Sequence, residues 1–461
     1  MTKGGAVVAS IVENRTLDEI QLGDSVSLDS SLNRADLRLW AALTGNPNLD
    51  EHFVEARGVS IWATSLFVTL IGSRLPGIGS TIETATARYH RPVEVGEKVT
   101  ATVTVKEIHG DKGSIVLDCL CINASGALIA DALIEVDAPK TKLRETYAGH
   151  RLEELIERCR GLPPMPTAVV HPCSADALMG AVEAVDHKLI APILVGPEDQ
   201  IRKVAAAQRV DLAGYRIVAT ADPEESATTA AVMAAQGEAQ ALMKGSLHTD
   251  QFMHAIVAKE NHLRTNRLLS HCMMVSLPTY GRRVIISDAA INIAPDIEQK
   301  KDIIQNAIIL ARAIGIDPPK VAVLSAVEVV RTKMPSSMDA AVLAKMADRN
   351  QIAGGIVDGP LDLDIAVDAE SARIKGVKSP VAGQADILIP PNIDAGNMMY
   401  KELSFMSDAQ GAGIVMGAKV PLILTSRSDN ADTRMFSTAL AVLFADATAK
   451  DPTLLHPAVS E

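Results

Sequence analysis

Apolar and polar residues alternate with a period of two over residues 97–137. In KVTATVTVKEI, valines alternate with threonine and alanine, and turn-forming residues at 110–113 and 123–126 divide the stretch into three segments. This pattern is typical of an antiparallel meander. The apolar segment 61–75 contains no proline and is followed by Pro76-Gly77, which predicts a helix. One helix beside a meandering sheet predicts an α+β domain.

The chain changes character over residues 138–166. APKTKLRETYAGH is polar, RLEELIERCR has the pattern of a short charged helix, and GLPPMP holds three prolines in six residues. Such a stretch is typical of a domain boundary. We therefore predict a first domain over residues 1–140, a linker over 141–166 and a second module over 167–461.

Beyond this boundary, apolar runs alternate with amphipathic, alanine-rich stretches such as ESATTAAVMAAQGEA. The runs are TAVVHPC, LIAPILVGP, YRIVAT, AQALMKGS, LLSHCMMVSLP, RRVIISDAA, KVAVLSAVE, ADILIPP and KVPLILTS. Continuous apolar runs indicate strands buried on both faces, as in parallel sheets. They predict a doubly wound α/β module with mostly parallel sheets. Because one sheet of so many strands would be large, we expect two lobes.

Composition narrows the possible partners. The 461 residues include 44 Lys+Arg and 56 Asp+Glu, a net charge of −12, which argues against nucleic-acid or anionic-membrane binding. Five scattered cysteines are not a disulfide framework and indicate a reducing compartment. The N-terminus lacks a signal-peptide pattern, and no run of about 18 apolar residues occurs. These features predict a cytoplasmic protein.

Several common site motifs are missing. Lys244 in MKGS lacks the glycine-rich loop of a P-loop, and GAGIVMG at residues 411–417 is not GxGxxG. The sequence also lacks GxSxG, HExxH and CxxC, and its eleven histidines show no ligand spacing. We therefore predict no metal site and no bound cofactor.

Polar side chains follow the predicted strands of the second module. They include Lys244 and the residues up to Thr249, Asp288 and Asn292, the segment 392–397, and SRSDNAD at 426–432. Asp288 and Asn292 read as caps of their own loop. Hydroxyl, guanidinium and carboxylate groups within seven residues after the last strand favour a phosphate or phosphorylated substrate. A surface ion pair at a helix start is the alternative interpretation of that segment.

From about residue 160 the chain resembles the phosphate acetyl/butyryl transferase family. The matching stretches are LMKGSLHTD, HLRTNRLLSH, SDAAINIAPD, VAVLSAVE, GGIVDGPLDLD, ADILIPPNIDAGNMMYK and LTSR. The resemblance implies reversible acetyl transfer between CoA and phosphate, with propionyl or butyryl transfer as the alternative. Acetyl-CoA or CoA and phosphate or acetyl phosphate would be substrates, and self-association in the family implies a homo-oligomer.

The resemblance also implies roles for individual residues. Ser426 and Arg427 would contact the phosphate and the thioester carbonyl, and a carboxylate downstream would accept the proton of the CoA thiol. Asp432 has the better spacing for that base, and Asp429 stays open as the alternative. A positioned base of this kind contributes about 10² to 10⁴ in rate.

Further residues complete the predicted substrate-binding set. Arg264, in HLRT, matches an arginine that the family uses to hold phosphate or CoA, and Arg267 lies nearby. Lys244 and Asn397 follow predicted strands, although a lysine at a strand end can equally extend to solvent.

The N-terminal part resembles MaoC-like (R)-specific enoyl-CoA hydratases of the hotdog fold, through LTGNP, SRLPGIG and YHRPVEVGEKVTATVTV. It departs from the catalytic stretch G-D-x-N-P-x-H of those enzymes, since Asn48 stands where the histidine is expected and the aspartate is missing. The family's His-Gly pair reads Val59-Ser60, and His52 has the wrong offset. Because an amide cannot replace the imidazole base, we predict a degenerate hotdog domain for assembly or acyl-CoA binding. A bifunctional enzyme that retains hydratase activity is the alternative.

Overall fold

The computed structural model describes residues 10–32, 61–147, 152–277, 280–407, 409–424 and 431–455. The chain divides into two compact units, an N-terminal unit over Val8–Ala148 and a C-terminal unit over Gly149–Glu461. The division falls within 141–166, the predicted linker. Among the described residues, the helices are too short or too polar to traverse a lipid bilayer.

The N-terminal unit contains an antiparallel sheet and a helix. Its elements are β1 (Ser10–Glu13), β2 (Ser25–Ser31), α1 (Ile61–Ser73), β3 (Thr81–Tyr89), β4 (Lys98–His109), β5 (Ser114–Asn123), β6 (Leu128–Asp137) and β7 (Arg144–Tyr147). The five-stranded sheet has the order β2-β4-β5-β6-β3, and β1 pairs separately with β7. The predicted meander is therefore β4 to β6, and the predicted helix is α1.

The core of the N-terminal unit lies between α1 and one face of this sheet. Phe67 and Leu70 of α1 are fully buried together with Val103, Cys119 and Cys121 of the sheet. Burial raises the pKa of the Cys119 thiol to about 12. Both sheet cysteines therefore act as small apolar core residues.

The C-terminal unit alternates strands with helices. Its strands are β8 (Met165–Val170), β9 (Ile190–Gly196), β10 (Arg216–Ala219), β11 (Ala241–Lys244), β12 (Ser270–Leu277), β13 (Tyr280–Ile286), β14 (Lys320–Leu324), β15 (Ile356–Leu361), β16 (Ile387–Ile389), β17 (Gln410–Met416) and β18 (Leu422–Ile423). Its helices are α2 (Glu153–Cys159), α3 (Ala175–Asp186), α4 (Glu198–Gln208), α5 (Pro223–Ala235), α6 (Thr249–Val257), α7 (Ile297–Ala313), α8 (Pro335–Asp348), α9 (Leu363–Val367), α10 (Ala369–Ile374), α11 (Ile393–Met406) and α12 (Ala431–Lys450).

These strands form one continuous sheet of eleven strands, in the order β10-β9-β8-β11-β18-β17-β12-β13-β16-β14-β15. The outer strands pair in parallel, whereas β12 runs antiparallel to both β13 and β17. The expected pair of separate sheets is thus replaced by a single mixed sheet. The short strand β18 makes this possible, because it pairs with β11 on one side and with β17 on the other.

The sheet separates one large core from two smaller ones. Cys272 and Met274 of β12 point into a cluster that is continuous along one face and includes α7 and α12. On the opposite face, a cluster around Phe252 of α6 is distinct from a cluster around Met273 and Val275 of β12. This face therefore has two apolar cores along the sheet.

The segment 141–166 contains regular structure. Strand β7 pairs with β1 in the N-terminal unit. Helix α2 contributes Leu155 and Cys159 to the large core of the C-terminal unit. The charged pattern RLEELIERCR therefore corresponds to a helix whose apolar side is packed on the second module.

Candidate active site

A cleft of about 520 Å³ opens between the two smaller cores of the C-terminal unit. Strand ends and helix starts converge on it from both sides. Its lining residues are Lys244, Leu247, His248, Thr249, His271, Met273, Ala289, Ala290, Asn397, Tyr400, Lys401, Gly413, Leu424, Thr433 and Ser437.

One side of the cleft is suited to an anion. Lys244 is the last residue of β11 and lines the cleft, as does Thr249, the first residue of α6. Lys401 of α11 adds a second ammonium group. Helix N-termini carry partial positive charge and unpaired N–H groups, so α6 and the two lysines together favour a phosphate-sized anion.

The floor of the cleft is formed by β17 and the first turns of α12. Gly413 donates its backbone N–H to Ser437 Oγ at 2.9 Å. Ser437 Oγ in turn donates to the Thr433 carbonyl at 2.7 Å. A methyl group at Gly413 would overlap Met273 Sδ and lie 2.9 Å from His271 Nε2. The absence of a side chain at Gly413 thus lets the imidazole and the thioether pack against the strand.

His271 is the buried ionisable group of the cleft floor. The residue is only 7% exposed, and neither ring nitrogen has a hydrogen-bond partner among the described residues. Burial lowers the pKa of His271 to about 4, although the charge of Asp288 acts in the opposite direction. The imidazole is therefore neutral at physiological pH.

The carboxylate of Asp288 organises one wall of the cleft. It accepts hydrogen bonds from the backbone N–H groups of His271 at 3.3 Å, Ala290 at 2.9 Å, Ile291 at 3.2 Å and Asn292 at 3.0 Å, and from the Asn292 side chain. These bonds confirm that Asp288 and Asn292 cap their own loop.

Helix α11 is held against this loop. Asn397 donates from Nδ2 to the Ala289 carbonyl at 3.0 Å. A methyl group at Gly396 would overlap the Asp288 carbonyl. The glycine therefore allows α11 to approach the loop closely, and Asn397 fixes the wall while facing the cleft.

The structure brings some of the predicted site residues together and separates others. Lys244 and Asn397 both line the cleft. Arg264 is exposed, on a segment that forms an isolated bridge with Ala418. Asp432 is exposed in the first turn of α12, one position before the cleft residue Thr433.

Arg267 lies in a different place from the cleft. It lines a narrow crevice with Asn306, Met416 and Val420. Burial lowers the pKa of its guanidinium, with Asp302 acting in the opposite direction. Ala418, which pairs with Arg264, also lines this crevice, and the binding roles of the two arginines stay predictions.

Ser426, Arg427 and Asp429 lie outside the described residues. The residues on both sides of their segment can be located, since Leu424 and Thr433 both line the cleft. The roles predicted for Ser426, Arg427, Asp429 and Asp432 stay predictions.

Sequence reasoning missed His271, Thr433 and Ser437. Thr433 and Ser437 are four residues apart and share one face of α12, which the family resemblance did not single out. His271 interrupts the apolar run LLSHCMMV. The available signal was an imidazole inside a largely apolar strand whose other polar residues are serines.

Comparison with known proteins agrees with this fold. The model of the family described as Phosphate acetyl/butaryl transferase matches residues 223–442. The chain is 50% identical to the phosphate acetyltransferase of Rhizobium meliloti over 295 residues, which are 64% of this chain and 93% of that protein. A branched-chain phosphotransacylase from Enterococcus faecalis superposes with a TM-score of 0.55 at 31% identity, covering 61% of this chain and 99% of its own.

The N-terminal part is similar to the R-hydratase PhaJ1 from Pseudomonas aeruginosa, at 27% identity and a TM-score of 0.28, over 30% of this chain and 93% of that one. The C-terminal unit has the phosphotransacylase fold. The chain belongs to the phosphate acetyl/butyryl transferase family and is a phosphate acyltransferase.

Acidification should destabilise the folded C-terminal unit through His271. The imidazole has an ordinary pKa of about 6.5 in the unfolded chain and of about 4 in the folded one. Between these values the unfolded state binds more protons, so the free energy of unfolding falls as pH decreases from about 6.5 to about 4, by up to about 3 kcal/mol. Above pH 6.5 this contribution is constant.

Urea midpoints at several pH values, followed by far-UV circular dichroism, measure this effect. His271→Phe should give a shallower decrease than the parent protein. Burial also lowers the pKa of His171, but that residue is present in both proteins and its effect cancels in the comparison. Equal slopes for the two proteins would contradict the buried neutral imidazole.

Proposed function

We propose that this protein reversibly transfers an acetyl group between CoA and inorganic phosphate in the cleft: acetyl-CoA + phosphate ⇌ acetyl phosphate + CoA. The observation that supports this most is the high identity to a phosphate acetyltransferase over nearly all of that protein's length. A cleft with two lysines and the start of α6 offers an anion site for one substrate. An assay of thioester formation from acetyl phosphate and CoA tests the proposal directly.

The proposed chemistry requires charge stabilisation at the reacting carbonyl. When the CoA thiolate attacks acetyl phosphate, negative charge builds on the carbonyl oxygen of a tetrahedral intermediate, and Arg427 and Ser426 would stabilise it. Arg427 is three residues after Leu424, and an extended chain covers about 10 to 11 Å over that length. Since Leu424 lines the cleft, the guanidinium would be within reach of a bound acyl group.

The thiol proton needs an acceptor. A thiol with a pKa near 8.5 is only a small fraction thiolate at neutral pH, so a carboxylate base would raise the reactive population. Asp432 is the preferred base, because it is next to Thr433 at the cleft, and Asp429 is the alternative. CoA and phosphate are both substrates in this scheme, and the reaction as proposed uses no further cofactor or metal.

Charged residues around the cleft would hold the remaining substrate groups. Lys244 lies at the cleft and would contact phosphate, with Asn397 on the facing wall. Arg264 is exposed and would hold a phosphate of CoA outside the cleft proper, with Arg267 supporting the same segment. The two apolar cores that flank the cleft would act as the two lobes of the module.

Propionyl or butyryl transfer is the rival activity. The cleft has apolar residues beside its polar ones, including Leu247, Met273 and Leu424, which a longer acyl chain could contact. Turnover of acetyl-, propionyl- and butyryl-CoA under identical conditions separates the two. A higher kcat/KM for butyryl-CoA than for acetyl-CoA would replace the acetyl assignment.

We further propose that the N-terminal unit is a hotdog domain without hydratase activity, used for assembly or acyl-CoA binding. Its altered positions, Asn48 and Val59-Ser60, lie outside the described residues, so the proposal is based on their side-chain chemistry. The same proposal includes a homo-oligomeric assembly and a cytoplasmic location. Its domain limits are 1–140 for the hotdog domain, 141–166 for the linker and 167–461 for the acyltransferase module.

The loss of hydratase chemistry gives a measurable expectation. Purified protein should hydrate crotonyl-CoA at least about 10³-fold more slowly than it transfers acetyl groups, since an amide at position 48 cannot act as a general base. Asn48→Ala should leave acetyl transfer nearly unchanged. Hydration at a rate comparable with acetyl transfer would show a bifunctional enzyme instead.

A further inference from the structure

At the floor of the cleft, the imidazole of His271 is a buried polar group that has no hydrogen-bond partner among the residues that the structure describes. A neutral imidazole offers one N–H donor and one acceptor nitrogen. Both nitrogens are buried without a hydrogen bond among the described residues, whereas buried polar groups are normally paired. His271 is one of the residues that line the cleft, so its imidazole lies beside the space that a bound molecule would occupy.

Among the described residues, the charged groups around the ring do not form hydrogen bonds with its nitrogens. The Asp288 carboxylate is occupied by backbone and Asn292 donors, and its contact with His271 is through the backbone N–H. The Gly413 N–H, on the strand beside the ring, is used by Ser437. Lys244, His248, Tyr400 and Lys401 are further ionisable residues of the cleft lining, and within the described part of the chain the two ring nitrogens of His271 have no hydrogen-bond partner.

The surroundings of the ring favour an anion with several oxygen acceptors. Two lysine side chains and the start of α6 face the same cleft. Ser437 lies across Gly413 from the ring, since its hydroxyl accepts the Gly413 N–H and the ring approaches Gly413 through Nε2. A phosphoryl group has enough oxygens to meet the lysines and an imidazole N–H together.

We propose that neutral His271 is a phosphate-binding residue, which donates a hydrogen bond from Nε2–H to a phosphoryl oxygen of inorganic phosphate or acetyl phosphate. This inference rests on the proposed acetyl transfer and deepens it by assigning a residue to the phosphate subsite. The directional hydrogen bond from the imidazole would orient the phosphoryl group, and the positive charge of the lysines would attract it. A neutral donor also needs no counterion in the buried floor, in contrast with an imidazolium.

The first test is steady-state kinetics of His271→Phe, which keeps a flat ring and removes the donor. The KM for phosphate should rise about 10- to 100-fold, the range expected for loss of a hydrogen bond to a charged group, while the KM for acetyl-CoA stays within about twofold. His271→Gln carries an amide N–H at a similar reach and should recover most of the loss. A structural effect alone would not separate the two KM values or respond to glutamine.

The matched control is another buried histidine of the same unit. His171 is 8% exposed and its imidazole is near Ser226 Oγ at 3.3 Å. His171→Asn suits its left-handed backbone, at φ 55°, and should leave the KM for phosphate within about twofold. An increase equal to that of His271→Phe would contradict a specific role for His271.

The second test does not depend on turnover. In protein with ¹⁵N-labelled histidine, addition of inorganic phosphate should move the resonances that are missing from the His271→Gln spectrum. If the wild-type protein transferred no acetyl groups but phosphate still moved these resonances, the proposed function would fail and the phosphate site would stand. If wild-type transfer were normal but the resonances and the KM for phosphate were unaffected, the role of His271 would be overturned alone.

Discussion

Arg427→Ala is expected to lower kcat for acetyl transfer by about 10² to 10³, with the fold intact. The reason is that a guanidinium aimed at the developing oxyanion acts mainly in the transition state, and the loss of one such donor in a desolvated site has an effect of this size. The measurement is kcat and both KM values in the thioester assay, with circular dichroism to confirm folding.

Arg427→Lys tests whether positive charge alone is sufficient at this position. Lysine keeps the positive charge but lacks the planar fork of five donors, so we expect activity between those of the alanine variant and the parent. Arg202→Ala is the matched control, since Arg202 forms an exposed pair with Glu198 within α4, and it should not change turnover. Unchanged turnover in Arg427→Ala would contradict the proposal that the 425–430 segment holds catalytic residues.

The second large effect is expected for the conformational stability of a variant at Asp288. Asp288→Ala should lower the free energy of unfolding of the C-terminal unit by about 3 to 5 kcal/mol. The carboxylate accepts from the backbone of four residues and is 4% exposed, and each buried donor left without a partner costs about 1 to 3 kcal/mol. The loop also forms a cleft wall, so activity should fall in the residual folded protein.

Two probes distinguish the units in that experiment. Both tryptophans, Trp40 and Trp62, belong to the N-terminal unit, so their fluorescence follows that unit while far-UV circular dichroism follows the whole chain. Asp288→Ala should shift the dichroism midpoint in urea and leave the fluorescence midpoint nearly unchanged.

Asp296→Ala provides the control for Asp288→Ala. Asp296 is the N-cap of α7 and accepts the Gln299 N–H at 2.9 Å. Loss of an exposed cap costs about 1 kcal/mol, so its effect should be clearly smaller. Similar effects for the two aspartates would mean that the loop bonds of Asp288 contribute no more than a helix cap.

Local patterns predicted much of the secondary structure. The alternation over 97–137 became β4 to β6, and the apolar segment before Pro76 became α1, because period and turn residues act over a few neighbours. The stretch GAGIVMG, which does not match GxGxxG, forms most of β17. Glycine has a low propensity for strands, so it does little to predict one. In β17 the absence of a side chain at Gly413 leaves space for Met273 and His271.

The site was predicted unevenly. Lys244 and Asn397, singled out from their positions after predicted strands, both line the cleft, and their substrate-binding roles stay predictions. Arg267 lines a crevice outside the cleft, together with Ala418, the bridge partner of Arg264, and its substrate-binding role stays a prediction. His271 was not singled out, because a histidine in an apolar run has no distinguishing spacing to other site residues.

The amino-acid sequence alone determined the division into an α+β part and an α/β part, the strand and helix rhythm, and the resemblance to acyltransferases, since these depend on periodicity and on contiguous motifs. Only the tertiary structure decided that eleven strands form a single sheet, because the pairing of β11 and β17 with β18 joins segments far apart in the chain. It also decided which polar groups meet at the cleft and that His271 is buried there, with no hydrogen-bond partner in the part of the chain that the structure describes. Burial and partnership depend on contacts between distant residues, which a local pattern does not encode.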